Sequence, residues 1–309
     1  MKALYLILKE DEILFSSISI ISSRRSQTHF VTGEKQNGKP YDRKYRERLL
    51  ITMSDGTFRV MTYNVHSCRG RNGIVSQANI AKVISAFNPD IIALQELDAG
   101  MERSGLADQA EDIARALNMA FHFHPSLHRE KGKYGNAVLS RFPMKLIRAD
   151  ALPTGEGKKE IEKRGALWVQ IEYAGKRVQV INTHLGLNRK ERLLQMEALL
   201  GPTWLKHPEC RPPIIFCADL NALPGSEPYK KLRRSLVDTH ERSGTKYAHK
   251  TWPSRFPLMR IDYIFVSPDL CIKNIIVPRS KLAQCASDHL PVVSDAKIIP
   301  EVTGYAKNP

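Results

Sequence analysis

From Phe58 onward the chain alternates short apolar runs with amphipathic stretches. Phe58 to Val65 has strand character and ends at Asn64-Val65-His66, followed by the glycine-bearing loop Arg69-Gly70-Arg71-Asn72-Gly73. Ile80, Val83, Ile84 and Phe87 then fall at i, i+3, i+4 and i+7, which predicts one buried helical face with Ser76 as its cap. Asn88-Pro89-Asp90 stops that helix, because proline disfavours helical geometry in the residue before it. Ile91 to Leu94 reads as a buried strand ending in Gln95-Glu96, Ala110 to Leu117 as a helix, and Asn136 to Ser140 as a strand closed by Arg141-Phe142-Pro143. Ala166 to Tyr173 and Arg177 to Thr183 flank Ala174-Gly175-Lys176, the pattern of a hairpin. Asn188 and Glu191 have capping-box spacing and open a helix through Leu200, which Gly201-Pro202 ends. Ile214 to Ala218, Arg260 to Ser267 and Leu290 to Ala296 complete the strands.

This interleaving predicts two layers of mixed sheet covered by helices, one α+β domain over residues 58–297. Residues 1–57 read as a basic, flexible flank and residues 298–309 as a loose tail, with Met53 a candidate true start. The flank opens on apolar Ala3 to Leu8, but Lys9-Glu10-Asp11-Glu12 interrupts it before Ile13 to Ile21 resumes. A secretory signal needs one continuous apolar core and a membrane span about 20 apolar residues, so neither is expected.

Composition narrows the partners. A formal charge of +15 points toward polyanions, either nucleic acid or an acidic membrane surface. The basic runs Arg189-Lys190-Glu191-Arg192 and Lys230-Lys231-Leu232-Arg233-Arg234 both fall in predicted helices, where a solvated helix face explains them equally well. The 5 cysteines are scattered, with no C-x-x-C pair, which argues against a disulfide framework or structural zinc and for reduced thiols in a cytoplasmic protein. Peripheral membrane association stays open, and no stable protein partner is expected.

Several strands share one habit: polar, oxygen- or nitrogen-bearing side chains where the apolar run stops. They are Asn64, Glu96, Asn182-Thr183-His184, Asp219-Leu220-Asn221, Asp262 and Asp288-His289. Singly, each has a structural explanation as a turn, a surface acid or a bonded core histidine, but together they form a parts list for metal-assisted attack of water on phosphorus. Thr62-Tyr63-Asn64-Val65, Leu94-Gln95-Glu96, Gly135-Asn136-Ala137-Val138-Leu139-Ser140, Asn182-Thr183-His184-Leu185, Ala218-Asp219-Leu220-Asn221, Arg260-Ile261-Asp262-Tyr263-Ile264-Phe265 and Ser287-Asp288-His289-Leu290-Pro291 follow in order. In that wording and order the chain resembles the endonuclease/exonuclease/phosphatase superfamily, which includes DNase I-like nucleases, sphingomyelinases and inositol polyphosphate phosphatases. Residues 58–297 carry the resemblance.

The resemblance implies a four-layer α/β sandwich, two facing mixed sheets flanked by helices, with the site at one edge. It implies Mg²⁺ or Mn²⁺ held by Glu96, with Asn64 and Asp288 beside it. Asp219 would activate water, Asn221 would hold a phosphate oxygen, and His289, oriented by Asp262, would donate to the phosphoryl group. His184 would serve the leaving-group side. Asn136 and Arg164 are candidate phosphate contacts, although an ordinary surface arginine fits Arg164 as well. One departure stands out: the abasic-site branch carries an acid two residues after the asparagine, and here that residue is His66. The leading expectation is a metal-dependent phosphodiesterase acting on nucleic acid. The alternative is a hydrolase of phospholipid headgroups or phosphorylated small molecules, for which the apolar loop of Trp252, Phe256 and Leu258 is a candidate lipid or base contact. A catalytically silent scaffold is the least favoured, because the acid and histidine set is intact.

Overall fold

In a computed structural model, Thr57–Asn64 forms strand β1, every residue of it buried, and its Arg59 side chain is neutralised by a bidentate pair with Asp295 at 2.6 and 3.1 Å. The structure describes residues 56–129, 132–155, 162–244 and 249–299. The expectations for the amino-terminal flank and most of the carboxy-terminal tail therefore lie outside the described residues. The remaining strands are β2 (Ile91–Ala99), β3 (Ala120–Arg129), β4 (Gly132–Ser140), β5 (Met144–Ala151), β6 (Gly165–Tyr173), β7 (Lys176–His184), β8 (Ile214–Asp219), β9 (Val237–Asp238), β10 (Asp262–Val266), β11 (Leu270–Ile276) and β12 (Val292–Ile298). The helices are α1 (Gln77–Ser85), α2 (Gln109–Leu117), α3 (Arg189–Leu199), α4 (Glu227–Arg233), α5 (Thr239–Arg242) and α6 (Lys281–Ala286).

Local chemistry explains the boundaries. Ser76 Oγ accepts from Asn79 N at 3.2 Å and starts α1, and Asn188 Oδ1 accepts from Lys190 N at 2.8 Å and starts α3. The Glu191 carboxylate accepts from Gln195 Nε2. The β6–β7 hairpin turns on Ala174 and Gly175, both at positive φ, the twist that suits adjacent strands.

Two six-stranded sheets result, in the orders β11-β12-β1-β2-β4-β3 and β5-β6-β7-β8-β10-β9. Each is mixed: β1 runs parallel to β2 and β7 parallel to β8, while the other pairings are antiparallel. Between the sheets lie the inward-facing apolar residues Val60, Ile91, Val138, Leu167, Val180 and Ile264. α1, α2 and α6 cover the first sheet, and a second cluster, with Trp168, Met196, Phe216 and Leu232, joins α3 and α4 to the second. Helix, sheet, sheet, helix is the four-layer sandwich. Among the described residues no helix is long and apolar enough to cross a membrane.

Candidate active site

Strand direction gathers the polar residues at one edge. β1 ends at Asn64, and antiparallel β12 starts beside it (Thr62 opposite Val292), which brings Ser287-Asp288-His289 to the end of β1. In the other sheet His184 lies opposite Asp219 at the ends of parallel β7 and β8. Antiparallel β10 begins at Asp262, opposite Asp219. Asp262 therefore opens its strand and Asp288-His289 precede theirs, instead of ending them.

Glu96 departs further from the sequence reading. β2 does not stop there but continues to Ala99, and the register with β4 slips between Leu94 and Leu97. Glu96 sits in that bulge at φ 60°, a left-handed backbone that non-glycine residues rarely adopt. The bulge points Glu96 out of the pleat, toward Asn64.

The groups converge on Asp219, which is 1% exposed. Its Oδ2 accepts from Asn64 Nδ2 at 2.9 Å and lies 3.4 Å from His184 Nε2 and 3.7 Å from His289 Nε2. Asn64 Nδ2 also donates to Glu96 Oε1 at 2.8 Å, tying the two acids together. Burial and the neighbouring Asp262 charge push Asp219 up to about 7, against His289, Asn64 and the Asn221 N–H. Burial opposes a charge on His289, but Asp262 and Asp219 outweigh it and lift the imidazole to about 10. Asp262 Oδ2, 2.9 Å from His289 Nδ1, fixes that ring. Here a carboxylate near neutrality faces a stable imidazolium, so the pair is able to take a proton on one side and donate on the other.

His184 has the opposite character. Burial, then Arg164 and His289, lower it well below its ordinary value, so it is neutral. Arg164 Nη1 lies 3.1 Å from its Nδ1, and Asn221 Nδ2 lies 2.9 Å from its Nε2. A neutral imidazole has one acceptor nitrogen, so only one of these donors is satisfied there at a time. Asn221 Nδ2 also donates to the Leu185 carbonyl at 3.0 Å. Arg164 is not the ordinary surface arginine that the sequence allowed: it is 5% exposed and paired with Glu162 at 2.7 Å. Asn136 reaches the same corner but donates to the Gly165 carbonyl at 3.0 Å.

The donor set suits a divalent cation. One ligand atom each from Glu96, His184 and Asp219 lie within 4.8 Å of one another, as do those of Asp219, Asp262 and His289. Burial works against the charge on Asp288, yet His66, His289 and Trp252 hold its carboxyl at about 2. Asp288 Oδ2 accepts from Trp252 Nε1 at 3.2 Å. Its buried Oδ1 has no well-aligned hydrogen-bond donor among the described residues and faces His66 Nδ1 at 3.3 Å. An anionic oxygen left in that state is a fitting cation ligand. Asp288 in turn raises His66 above its ordinary value. Beyond Glu96 and His66 opens a cavity of about 190 Å³, also lined by Arg69, Arg103, Tyr134 and Glu162.

Sequence reading passed over the ties that hold these groups. Asn182 Nδ2 donates to the Leu94 and Ala137 carbonyls, both at 2.8 Å, and its Oδ1 accepts from Gln95 Nε2 at 2.8 Å, bridging the sheets beneath the site. Ser287 Oγ donates to the Asn64 carbonyl at 2.8 Å. Arg103, on the cavity wall, is gripped by buried Asp98 at 2.6 and 2.9 Å. The sequence marked Asn182 only as part of the polar ending Asn182-Thr183-His184, not as a bridge. Phe256 and Leu258 do not cover the core, being 66% and 67% exposed.

Comparison with known proteins agrees with this construction. The chain is 27% identical over 254 residues to the uncharacterized protein YbhP of Escherichia coli (strain K12), covering 77% of this chain and 96% of that protein. An endonuclease/exonuclease/phosphatase from Beutenbergia cavernae superposes with a TM-score of 0.60 at 25% identity, over 80% of this chain and 73% of that one. The mannosyl-6-phosphatase Bt3783 of Bacteroides thetaiotaomicron shares the fold with a TM-score of 0.63 at 19% identity, over 77% and 99% of the two chains. The model of the Endonuclease/Exonuclease/phosphatase family matches residues 61–289, nearly the whole described domain, and the chain belongs to that family.

Proposed function

We propose that the protein is a divalent-metal-dependent phosphoesterase that hydrolyses a phosphodiester by in-line attack of water. The observation that carries this reading is the convergence of Asn64, His184 and His289 on the single oxygen Asp219 Oδ2. Asp219 orients the attacking water and takes its proton, at a pKa burial has brought close to neutral. His289, held charged by Asp262, donates to a phosphoryl oxygen and offsets the charge that grows there. Asn221 and Arg164, sharing one acceptor on His184, supply the donor left over to phosphate, and His184 faces the leaving group. Asn136 holds the Gly165 turn beside Arg164. Glu96 and Asp288 would hold Mg²⁺ or Mn²⁺, with Asn64 fixing Glu96. The cation supplies Lewis-acid stabilisation of charge on the phosphate.

Nucleic acid is the leading substrate class, supported by the charge of +15. The exposed Phe256 and Leu258 in the loop before Asp262 favour the second reading, a phospholipid headgroup. One panel with Mg²⁺ or Mn²⁺ tests both: bis-p-nitrophenyl phosphate, p-nitrophenyl phosphate, plasmid DNA, RNA and sphingomyelin. Cleavage of the monoester alone overturns the diesterase, and full activity in Asp219→Ala overturns the mechanism.

A further inference from the structure

His66 has no place in the mechanism above, yet the backbone delivers it into the site at some cost. His66, Ser67 and Cys68 follow one another at φ 49°, 50° and 54°, a run of left-handed conformations in non-glycine residues. The His66 N–H is pinned by Asn64 Oδ1 at 3.0 Å. That brings the imidazole edge to the two carboxylates assigned to the cation: Nδ1 is 3.3 Å from Asp288 Oδ1 and 3.8 Å from Glu96 Oε2.

These distances also suit shared coordination of one ion. Adjacent ligands of an octahedral ion with bonds of about 2.1 Å stand about 3.0 Å apart. The His66–Asp288 spacing is close to that edge, and Glu96 needs only a small approach. Asp288 is held on its other oxygen by Trp252, and the segment it belongs to is tied to β1 through Ser287. Its Oδ1 therefore stays turned toward His66, with no well-aligned hydrogen-bond donor among the described residues. The ring is half-exposed, so an incoming cation has access to Nδ1.

We propose that His66 Nδ1 is a direct ligand, so that the cation site of this chain is a mixed nitrogen–oxygen site that prefers Mn²⁺ to Mg²⁺. The inference rests on the metal reading above and adds a ligand to it. Imidazole is a borderline donor that favours transition ions, whereas Mg²⁺ favours oxygen alone.

The test is spectroscopic. Metal-free full-length protein is titrated with Mn²⁺, followed by the loss of the free-ion EPR signal. The bound ion is then examined by electron spin-echo envelope modulation for a directly bonded ¹⁴N. Wild type is expected to show one such nitrogen. His66→Asn is expected to lose it and to bind Mn²⁺ at least ~10-fold more weakly. His66→Asp, which restores an anionic ligand, is expected to bind without nitrogen coupling and to shift the preference toward Mg²⁺. Bound Mn²⁺ with no nitrogen coupling overturns the proposal while leaving the metal reading intact. So does coupling that survives in both His66 variants and disappears in His184→Asn. Absence of any Mn²⁺ binding overturns the metal reading itself, and the proposal with it.

Discussion

Replacing Asp262 with asparagine keeps the side-chain shape beside His289 and removes one charge. In the native protein burial disfavours the imidazolium, yet Asp262 and Asp219 raise its pKa from 6.5 to about 10. That difference corresponds to ~5 kcal/mol in favour of the charged ring. Asp262 approaches Nδ1 to 2.9 Å while Asp219 stands 3.7 Å from Nε2, so Asp262 supplies most of it. In Asp262→Asn burial prevails, and His289 loses its proton below neutrality. The same change removes a carboxylate that raises Asp219 but also the imidazolium that lowers it, so the two effects on the base oppose each other. Wild-type activity is expected to rise as Asp219 deprotonates, at about 7, and to fall as His289 deprotonates, at about 10. In the variant the alkaline limb moves to acid, and kcat/KM at about pH 8 is expected to drop by ~100- to 1000-fold, the scale for removing one donor to a charged transition state. Initial rates on bis-p-nitrophenyl phosphate with Mg²⁺, measured from about pH 5 to 10 with circular dichroism to confirm folding, decide it. An alkaline limb left in the wild-type position, or a loss uniform across pH, refutes the reasoning.

Asn182→Ala removes the bridge between the sheets and strands two buried carbonyls, so urea unfolding is expected to show a loss of about 3–5 kcal/mol. Asp219→Asn is expected to abolish turnover yet raise Tm by a few degrees in metal-free protein near pH 8. The sign follows from a folded-state pKa of about 7 against 3.8 unfolded: the ionised acid costs stability as pH rises through that window, and an amide does not. Chelation by EDTA is expected to remove activity, and Mg²⁺ or Mn²⁺ at ~100 times its Kd to raise unfolding free energy by ~2.7 kcal/mol, read as a rise in Tm. An unchanged Tm on adding metal contradicts the cation site.

The central strands were legible because burial on both faces writes them as apolar runs, continuous in β2, β4, β6, β8 and β10 and broken by Arg59, Gln179 and Asp295 in β1, β7 and β12. The strands the pattern missed, β3, β5, β9 and β11, are the edges of the two sheets. β3 carries His122, His124 and His128, and β5 carries Lys145, Arg148 and Asp150, so no apolar run marks them. The candidate site was legible as residue types beside strand boundaries, but direction was not: nothing local to Asp262 or Asp288 says that the strand beginning there runs antiparallel. Glu96 shows a further limit. Its bulge is set by pairing with β4 across 40 residues of chain, which periodicity within β2 does not contain.

The pairing of β12 with β1 has a consequence for how the protein is made. Asn64 belongs to the first described strand, while Asp288 and His289 arrive just ahead of the last. A chain interrupted between Asp219 and Asp288 holds Glu96 and Asp219 without the acid and imidazole that complete the centre. A copy cut short there is expected to be inert toward phosphoesters, the centre being completed only as the final strand closes the sheet.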